Sequence, residues 1–220
     1  MTEPNATAVD ELLNRLVLEH DDALQDALAD SAAAGLPAIE VSPQAAQLLG
    51  LLVRMAGARR ILEIGTLGGY STICLARAAG PESSVVTLEY EPRHAEVAAA
   101  NLRRAGVGDR VEIIVGAALD TLPTLTGRFD FVFIDADKPG YLDYVEFLID
   151  SALLSPRAVI AVDNTLLQGE PYSGTVGMSA NGAAIAKFNA ALTYDSRVEQ
   201  VVLPLRDGVT LIRRTPDTPR

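Results

Sequence analysis

Five short, nearly continuous apolar runs constrain the fold of this chain more than any other feature of its sequence. They are ILEI (61–64), VVTLE (85–89), VEIIV (111–115), FDFVFID (129–135) and AVIAVD (158–163). Runs of this kind are typical of strands that are buried on both faces. Between them lie stretches with helical spacing, at about 70–79, 92–105, 118–125 and 140–154. This alternation predicts an α/β protein with a doubly wound, mostly parallel sheet.

The segment before the first apolar run has a different pattern. Residues 1–40 carry apolar side chains at helical spacing, which predicts an N-terminal helical extension that stops near the Gly-Leu-Pro sequence at 35–37. A further helix over 42–56 begins with Ser-Pro, a favoured N-cap and first-turn pair. We expect the main body of the domain to cover 41–214, with residues 1–40 as an extension.

The end of the chain breaks the alternation of strand and helix. A helix at about 181–193 is followed by two strand-like runs, 199–205 and 209–213. The Asp-Gly pair at 207–208 is typical of a hairpin turn. An antiparallel hairpin is compatible with the edge of an otherwise parallel sheet. We therefore expect one domain over 1–220.

The composition restricts the class of protein and its partners. Hydrophobic residues make up 49% of the chain and charged residues 21%, which excludes intrinsic disorder. The net charge of −11 repels the phosphates of a nucleic acid. Lysine and arginine residues are scattered, and we expect the arginine pairs at 59–60, 103–104 and 213–214 to be solvated surface. Nucleic acid is therefore not an expected partner.

Cys74 is the single cysteine, so the chain can form neither an internal disulfide nor a cysteine-rich zinc site. The first residues lack the basic segment and apolar run of a signal peptide. No stretch reaches the roughly 18 uninterrupted apolar residues of a membrane span. We expect a cytoplasmic protein without a membrane partner.

A glycine-rich loop follows the first apolar run, where open α/β sheets bind their ligands. Its glycines Gly65, Gly68 and Gly69 have the spacing G-x-x-G-G, whereas the dinucleotide fingerprint is G-x-G-x-x-G. The spacing therefore favours a ligand without a phosphate. Glu63, at the end of the same run, would repel phosphate and attract an amine or a sulfonium; the alternative is a helix cap or an ion pair.

Glu89 ends the second apolar run, twenty residues after Gly69. Folds of this class place there an acid that accepts hydrogen bonds from ribose hydroxyls. Glu91 is a rival for this role, but Pro92 follows it and favours a helix start with Glu91 as its cap. The glycine loop and Glu89 together predict a nucleoside ligand.

Two carboxylates and an amide follow the fourth and fifth apolar runs, at Asp135, Asp163 and Asn164. Hard oxygen ligands of this kind are preferred by Mg²⁺, Mn²⁺ and Ca²⁺. They would fill three positions of a roughly octahedral site and leave the others to substrate and water. The alternative is that backbone N–H groups satisfy these acids.

Lys138 lies three residues after Asp135 and is the best candidate for a general base. A nearby cation and partial desolvation would favour its neutral form. His20 and His94 are both expected on the surface, and no Ser-His-Asp or Cys-His set is evident. The glycine-rich stretch 168–182 follows the fifth run and is predicted to be a mobile lid over this site.

At this point the sequence resembles a known family, the cation-dependent, S-adenosylmethionine-dependent O-methyltransferases that include the catechol and caffeoyl-CoA O-methyltransferases. The resemblance covers about residues 38–213. It is carried by LEIGTLGGYS (62–71), VTLEYEPRHAEVAAANL (86–102), VGAALDTLP (115–123), FDFVFIDADKPGY (129–141) and AVDN (161–164). It implies a seven-stranded, Rossmann-like methyltransferase sheet and a homodimer.

The resemblance also implies roles for individual residues. Asp135 and Lys138 would be catalytic, and Asp135, Asp163 and Asn164 would bind a divalent cation, with Mg²⁺ preferred. The residues that bind S-adenosylmethionine would be Val41, Glu63, Gly65, Thr66, Ser71, Glu89, Ala118 and Asp135. The acceptor would be a catechol-like small molecule that offers two vicinal oxygens to the cation.

Two departures from the family pattern concern the ligands. Leu119 replaces a polar residue beside the adenine. The chain has no tryptophan, so Tyr141, Tyr172 or Met178 would have to line the pocket of the methyl acceptor.

Two other functions are also considered. A nicotinamide-dependent oxidoreductase would lack its pyrophosphate fingerprint, and a non-catalytic nucleoside- or metal-binding module would have no need of Lys138.

Overall fold

The five apolar runs form the parallel part of a seven-stranded sheet in a computed structural model that describes residue 12 and residues 21–172 and 178–216. The strands are β1 (Arg60–Ile64), β2 (Ser84–Glu89), β3 (Val111–Val115), β4 (Phe129–Ile134), β5 (Leu154–Asp163), β6 (Val198–Leu203) and β7 (Val209–Arg214). The described helices are α1 (Asp22–Ala33), α2 (Pro43–Ala56), α3 (Tyr70–Ala79), α4 (Pro92–Arg104), α5 (Ala118–Thr121), α6 (Tyr141–Asp150) and α7 (Ala180–Tyr194).

The order of the strands determines where a ligand can bind. It is β3-β2-β1-β4-β5-β7-β6, so the chain runs outward from β1 in one direction and then returns to add β4 on its other side. The loops that leave β1 and β4 therefore diverge, and the crevice between them is the position at which open α/β sheets bind ligands. The predicted fold class, including the C-terminal antiparallel hairpin, is confirmed.

An apolar layer packs on each face of the sheet, which explains why the strands have uninterrupted apolar sequences. In β4, Phe131 and Phe133 enter the layer that α1, α2 and α3 cover. Val132 and Ile134 enter the opposite layer, with residues of α6 and α7. In β4 every side chain except that of Asp130 is buried, so polar and apolar residues do not alternate there. In β3, which lies at the edge of the sheet, no side chain is fully buried, so the prediction of burial on both faces is wrong for this strand.

Most predicted boundaries agree with the structure to within a few residues, but the helix expected over 140–154 ends early. It ends at Asp150, and Leu154 already pairs with Phe129 in the sheet. The Ser151 hydroxyl closes the helix by donating to the carbonyl of Leu148 at 3.1 Å. The apolar residues after Ser151 continue the apolar pattern of the helix, so the sequence predicts a helix that is longer than the one observed.

The N-terminal extension is described only in part. The predicted helical residues 1–20 lie outside the described residues, except for residue 12. Helix α1 begins after Asp21, whose carboxylate caps it by accepting the N–H of Ala23 at 3.0 Å. None of the helices within the described ranges is both long and apolar enough to cross a membrane.

Two arginines predicted to be solvated surface instead pack against the protein. The guanidinium of Arg60 lies 4.6 Å from the ring centroid of Phe129. Arg214 Nη2 donates to the backbone carbonyl of Leu148 at 3.0 Å, and also to the carbonyls of Ile149 and Ser151. Arg214 therefore ties β7 to the C-terminal end of α6, where carbonyl groups lack helical partners and attract positive charge.

We expect Arg214→Met to lower the free energy of unfolding by about 1.5–3 kcal/mol, the typical value for hydrogen bonds to a charged group. Arg213→Met is the matched control, because Arg213 is exposed and lies 3.6 Å from the exposed Glu199. Urea unfolding measures both changes. Equal losses for the two variants would contradict the capping role of Arg214.

Candidate active site

A cavity of about 850 Å³ opens at the carboxyl ends of β1, β2 and β4. It lies at the crevice between β1 and β4, where the strand order predicts a ligand site. The cavity wall contains most of the residues that the sequence selected as site residues, namely Val41, Gly65, Thr66, Ser71, Glu89, Ala118, Asp135, Lys138 and Asn164. Glu63 and Asp163 do not line it; they are buried behind the wall.

Gly65 brings the glycine loop against the end of β4. Its φ of +99° is in the region that favours glycine. A Cβ at this position would lie 2.1 Å from the backbone oxygen of Asp135, closer than any side chain can approach. The Gly65 N–H also donates to the carbonyl of Leu88 at 2.9 Å. Residue 65 must therefore be glycine for β1, β2 and β4 to meet at one wall.

Glu63 supports the glycine loop from behind, contrary to its expected position beside the ligand. It is fully buried, and its carboxylate accepts hydrogen bonds from the hydroxyls of Ser71 at 2.6 Å, Thr87 at 2.7 Å and Thr72. Burial raises the pKa of Glu63 to about 7, although the three hydroxyl groups act in the opposite direction. Glu63 thus fixes Ser71, which does line the cavity.

Glu89 is held by backbone donors of the same loop. Its Oε2 accepts the N–H groups of Thr66 at 3.1 Å and Leu67 at 2.8 Å, and its Oε1 accepts the N–H of Glu91 at 2.9 Å. A carboxylate has roughly four acceptor positions, so part of Glu89 stays available to a ligand hydroxyl. Glu91 is the N-cap residue of α4, as predicted, but its side chain makes no capping hydrogen bond.

His94 was predicted to lie on the surface, and that prediction is wrong. It lines the cavity, with its Nδ1 atom 3.3 Å from Oε1 of Glu89. The signal was available in the sequence, because His94 lies in the first turn of a helix that starts just after the ligand-binding end of β2. His20, the other histidine, lies outside the described residues.

Lys138 joins the ends of β4 and β5. Its Nζ donates to Oδ1 of Asp135 at 3.0 Å, to Oδ1 of Asn164 at 2.7 Å and to the hydroxyl of Tyr141 at 2.6 Å. Asn164 adopts a left-handed backbone conformation with φ of +57°, an uncommon conformation that recurs at functional sites. Two of the predicted cation ligands thus already converge on one positive charge.

Asp163, the third predicted ligand, is 5% exposed and accepts the N–H of Asn164 at 2.8 Å. Burial, followed by repulsion from Asp135, raises the pKa of Asp163 to about 7, while Lys138 acts in the opposite direction. Across the part of the chain that the structure describes, no three His, Cys, Asp or Glu side chains group as a metal site. The predicted set therefore depends on the amide of Asn164 as its third member.

The aromatic residues of the cavity wall differ from those expected. Tyr141 is fully buried and packs edge to face on Phe188, with ring centroids 5.8 Å apart. Only its hydroxyl reaches the site, through Lys138. Tyr172 and Met178 are exposed and are not part of the described wall. The tyrosines that line it are Tyr70, Tyr90 and Tyr144. Leu119 is in the wall, as expected.

Asn101 supports the site and was not found from the sequence. It is 2% exposed, and its side-chain N–H donates to the carbonyl of Gly68 at 2.8 Å and to that of Ala27 at 3.4 Å. It therefore links α1, α4 and the glycine loop. The sequence around Asn101 has the pattern of an ordinary amphipathic helix. Only the three-dimensional contact therefore shows that Asn101 supports the glycine loop.

The two ends of the predicted lid are described, whereas its residues 173–177 lie outside the described residues. The first end, Leu167–Tyr172, forms short 3₁₀ turns. Glu170 accepts a hydrogen bond from the hydroxyl of Ser179 at 3.0 Å, which brings the two ends together. Asn181, just inside α7, lines the cavity.

Comparison with known proteins agrees with this geometry. A family model described as O-methyltransferase matches residues 17–215. The chain is 54% identical over 185 residues to a catechol O-methyltransferase of Mycobacterium tuberculosis, covering 84% of this chain and 81% of that protein. The chain belongs to the O-methyltransferase family. This confirms the predicted enzyme class and decides against an oxidoreductase and a non-catalytic module.

Two solved structures resemble the O-methyltransferase over most of its length. The crystal structure of cofactor-bound Rv0187 from MTB gives a TM-score of 0.91 at 45% identity, covering 99% of this chain and 100% of that chain. An O-methyltransferase from Bacillus cereus in complex with SAH gives a TM-score of 0.87 at 39% identity, covering 94% of this chain and 97% of that chain.

We expect Gly65→Ala to destabilise the O-methyltransferase more than Gly57→Ala does. Both glycines have positive φ, but a Cβ at Gly57 has no atom within 4 Å, whereas one at Gly65 overlaps the backbone of Asp135. Gly57→Ala should cost about 1–2 kcal/mol, from backbone strain alone. Urea unfolding of both variants measures the difference. Equal losses would show that the close contact at residue 65 carries no extra cost.

Proposed function

We propose that this S-adenosylmethionine-dependent O-methyltransferase methylates one hydroxyl of a catechol-like molecule, or of another small molecule with two vicinal oxygens, with the help of a divalent cation. The observation that carries the proposal is the convergence of Lys138, Asp135 and Asn164 on one wall of the cavity. The proposed base and the proposed oxygen ligands of the cation would then lie beside the molecule that accepts the methyl group. We further propose, from the resemblance to this family, that the protein is a homodimer, that each chain is one domain and that it is cytoplasmic.

The donor would occupy the part of the cavity formed by β1 and β2. Glu89 would accept ribose hydroxyls, since backbone donors already hold its carboxylate in place. Ser71 and Val41 would contact the methionine part, and Ala118 the adenine. Glu63 would act by orienting Ser71. The relatives with bound cofactor or SAH support this donor.

The chemistry of Asp135, Asp163 and Asn164 fits a hard divalent cation, with Mg²⁺ preferred. Two of these side chains already hold the nitrogen of Lys138, and the third, Asp163, carries a carboxyl group whose pKa is raised by burial and then by repulsion from Asp135. A bound cation would compensate that negative charge, and it would supply Lewis-acid polarisation of the acceptor oxygens. The catechol-like acceptor is proposed because its two oxygens can share one cation.

Lys138, in its neutral form, would remove the proton of the acceptor hydroxyl. Its nitrogen already contacts the oxygens beside which that hydroxyl would bind. The acceptor oxygen then forms a bond to the methyl carbon as the bond from that carbon to sulfur breaks, and the proton stays on Lys138. The Tyr141 hydroxyl accepts a hydrogen bond from the same nitrogen and holds its position. The protein contributes mainly by orienting the two reactants.

We expect Lys138→Met to lower kcat by about 10²–10⁴-fold, the usual contribution of a general base, with little change in donor affinity. Lys187→Met is the matched control, because Lys187 is exposed on α7. The assay is methyl transfer from S-adenosylmethionine to a panel of catechols with Mg²⁺ or with EDTA. Product that forms equally in EDTA would contradict the cation, and full turnover by Lys138→Met would contradict the base.

We expect Glu89→Ala to weaken binding of S-adenosylhomocysteine by about 1–3 kcal/mol, because buried ribose hydroxyls and the loop N–H groups would lose their acceptor. Glu91→Ala removes a neighbouring carboxylate that makes no capping hydrogen bond and serves as the control. Isothermal calorimetry measures both. Equal affinities for the two variants would remove Glu89 from the donor site.

A further inference from the structure

The cavity wall is rich in negative charge. Within the described residues its charged members are the acids Glu40, Glu89, Asp135 and Asp137 and one lysine, Lys138. No arginine is found in that part of the wall.

Three of these acids have partners inside the protein. Asp135 pairs with Lys138 at 3.0 Å. Glu89 accepts three backbone N–H groups. Asp137 accepts the N–H of Gly140 at 3.0 Å and the hydroxyl of Tyr144. Their charges are therefore largely compensated before any ligand binds.

Glu40 differs from them, since among the described residues no hydrogen bond or ion pair involves its side chain. It lies between Ile39, which is 68% exposed, and Val41, which is buried. All three residues line the cavity, so Glu40 lies where the wall meets its rim. A partly buried carboxylate without a partner attracts a positive charge and repels a negative one.

From this distribution we infer that the acceptor carries a cationic or neutral substituent rather than a carboxylate or a coenzyme A thioester, and that Glu40 determines this preference. The inference rests on the proposed function and makes its substrate class narrower. The phosphates of a coenzyme A thioester are normally recognised by arginine or lysine, which the described wall does not provide beyond the paired Lys138. An amine substituent would instead gain the attraction of Glu40.

The experiment compares four acceptors that share the catechol ring: dopamine, 4-methylcatechol, 3,4-dihydroxyphenylpropionic acid and caffeoyl-CoA. We expect kcat/KM for the amine to exceed that for the carboxylate by about two- to fivefold, the size of a partly exposed ion-pair interaction. Glu40→Gln should bring the ratio close to one, and Glu40→Lys should reverse it. Added salt should reduce the preference of the wild type.

Glu82→Gln is the matched control, because it makes the same change in net charge at an exposed position outside the cavity wall. Binding of S-adenosylhomocysteine is measured for every variant. If Glu40→Gln weakens that binding and leaves the acceptor ratio unchanged, Glu40 faces the donor and the inference is overturned. The inference is also overturned if caffeoyl-CoA gives the highest kcat/KM of the four acceptors with the wild type.

Failure of the proposed function has a different signature. In that case no catechol of the panel is methylated by the wild type, with or without Mg²⁺, and the inference falls with it. Methylation of the panel with equal kcat/KM for amine and carboxylate leaves the function intact and overturns the inference alone.

Discussion

The contact between Gly65 and the backbone of Asp135 is the constraint on which the rest of the site depends. It fixes the separation between the loop after β1 and the end of β4 at a distance that admits no side chain. The N–H groups that follow in the same loop hold Glu89. The residues after β4 lead to Lys138, which contacts Asn164 beyond β5. The proposed donor site and the proposed acceptor site thereby share one wall.

Buried groups behind the wall make this arrangement rigid. Glu63 accepts hydrogen bonds from three hydroxyl groups beneath the loop, and Asn101 of α4 donates to the carbonyl of Gly68. Both are polar groups in a nonpolar layer, so their hydrogen bonds are costly to break. A loop held at both sides needs little reorganisation when a ligand enters, which is the advantage of a preorganised site.

The strands and the strand-end residues could be predicted from the sequence because both follow from local rules. A strand buried on two faces must be apolar throughout, and the carboxyl ends of parallel strands meet at one edge of a sheet. The direction of the Tyr141 side chain could not be predicted in this way, because it depends on how a helix turns after it leaves a strand. Arg214 was misassigned for a related reason, since its partners are carbonyl groups far away in the chain.

The position of β7 between β5 and β6 has a consequence for the order in which the enzyme becomes complete. β5 ends in Asp163 and pairs with β7 along one side. The chain emerges from the ribosome with its N-terminus first. The backbone groups on that side of β5 therefore stay unpaired until residues 209–214 have been synthesised. The strands that build the proposed donor site, β1, β2 and β4, all precede β7 in the chain. The proposed donor site can therefore form before β5, which carries Asp163, gains its second neighbour in the sheet.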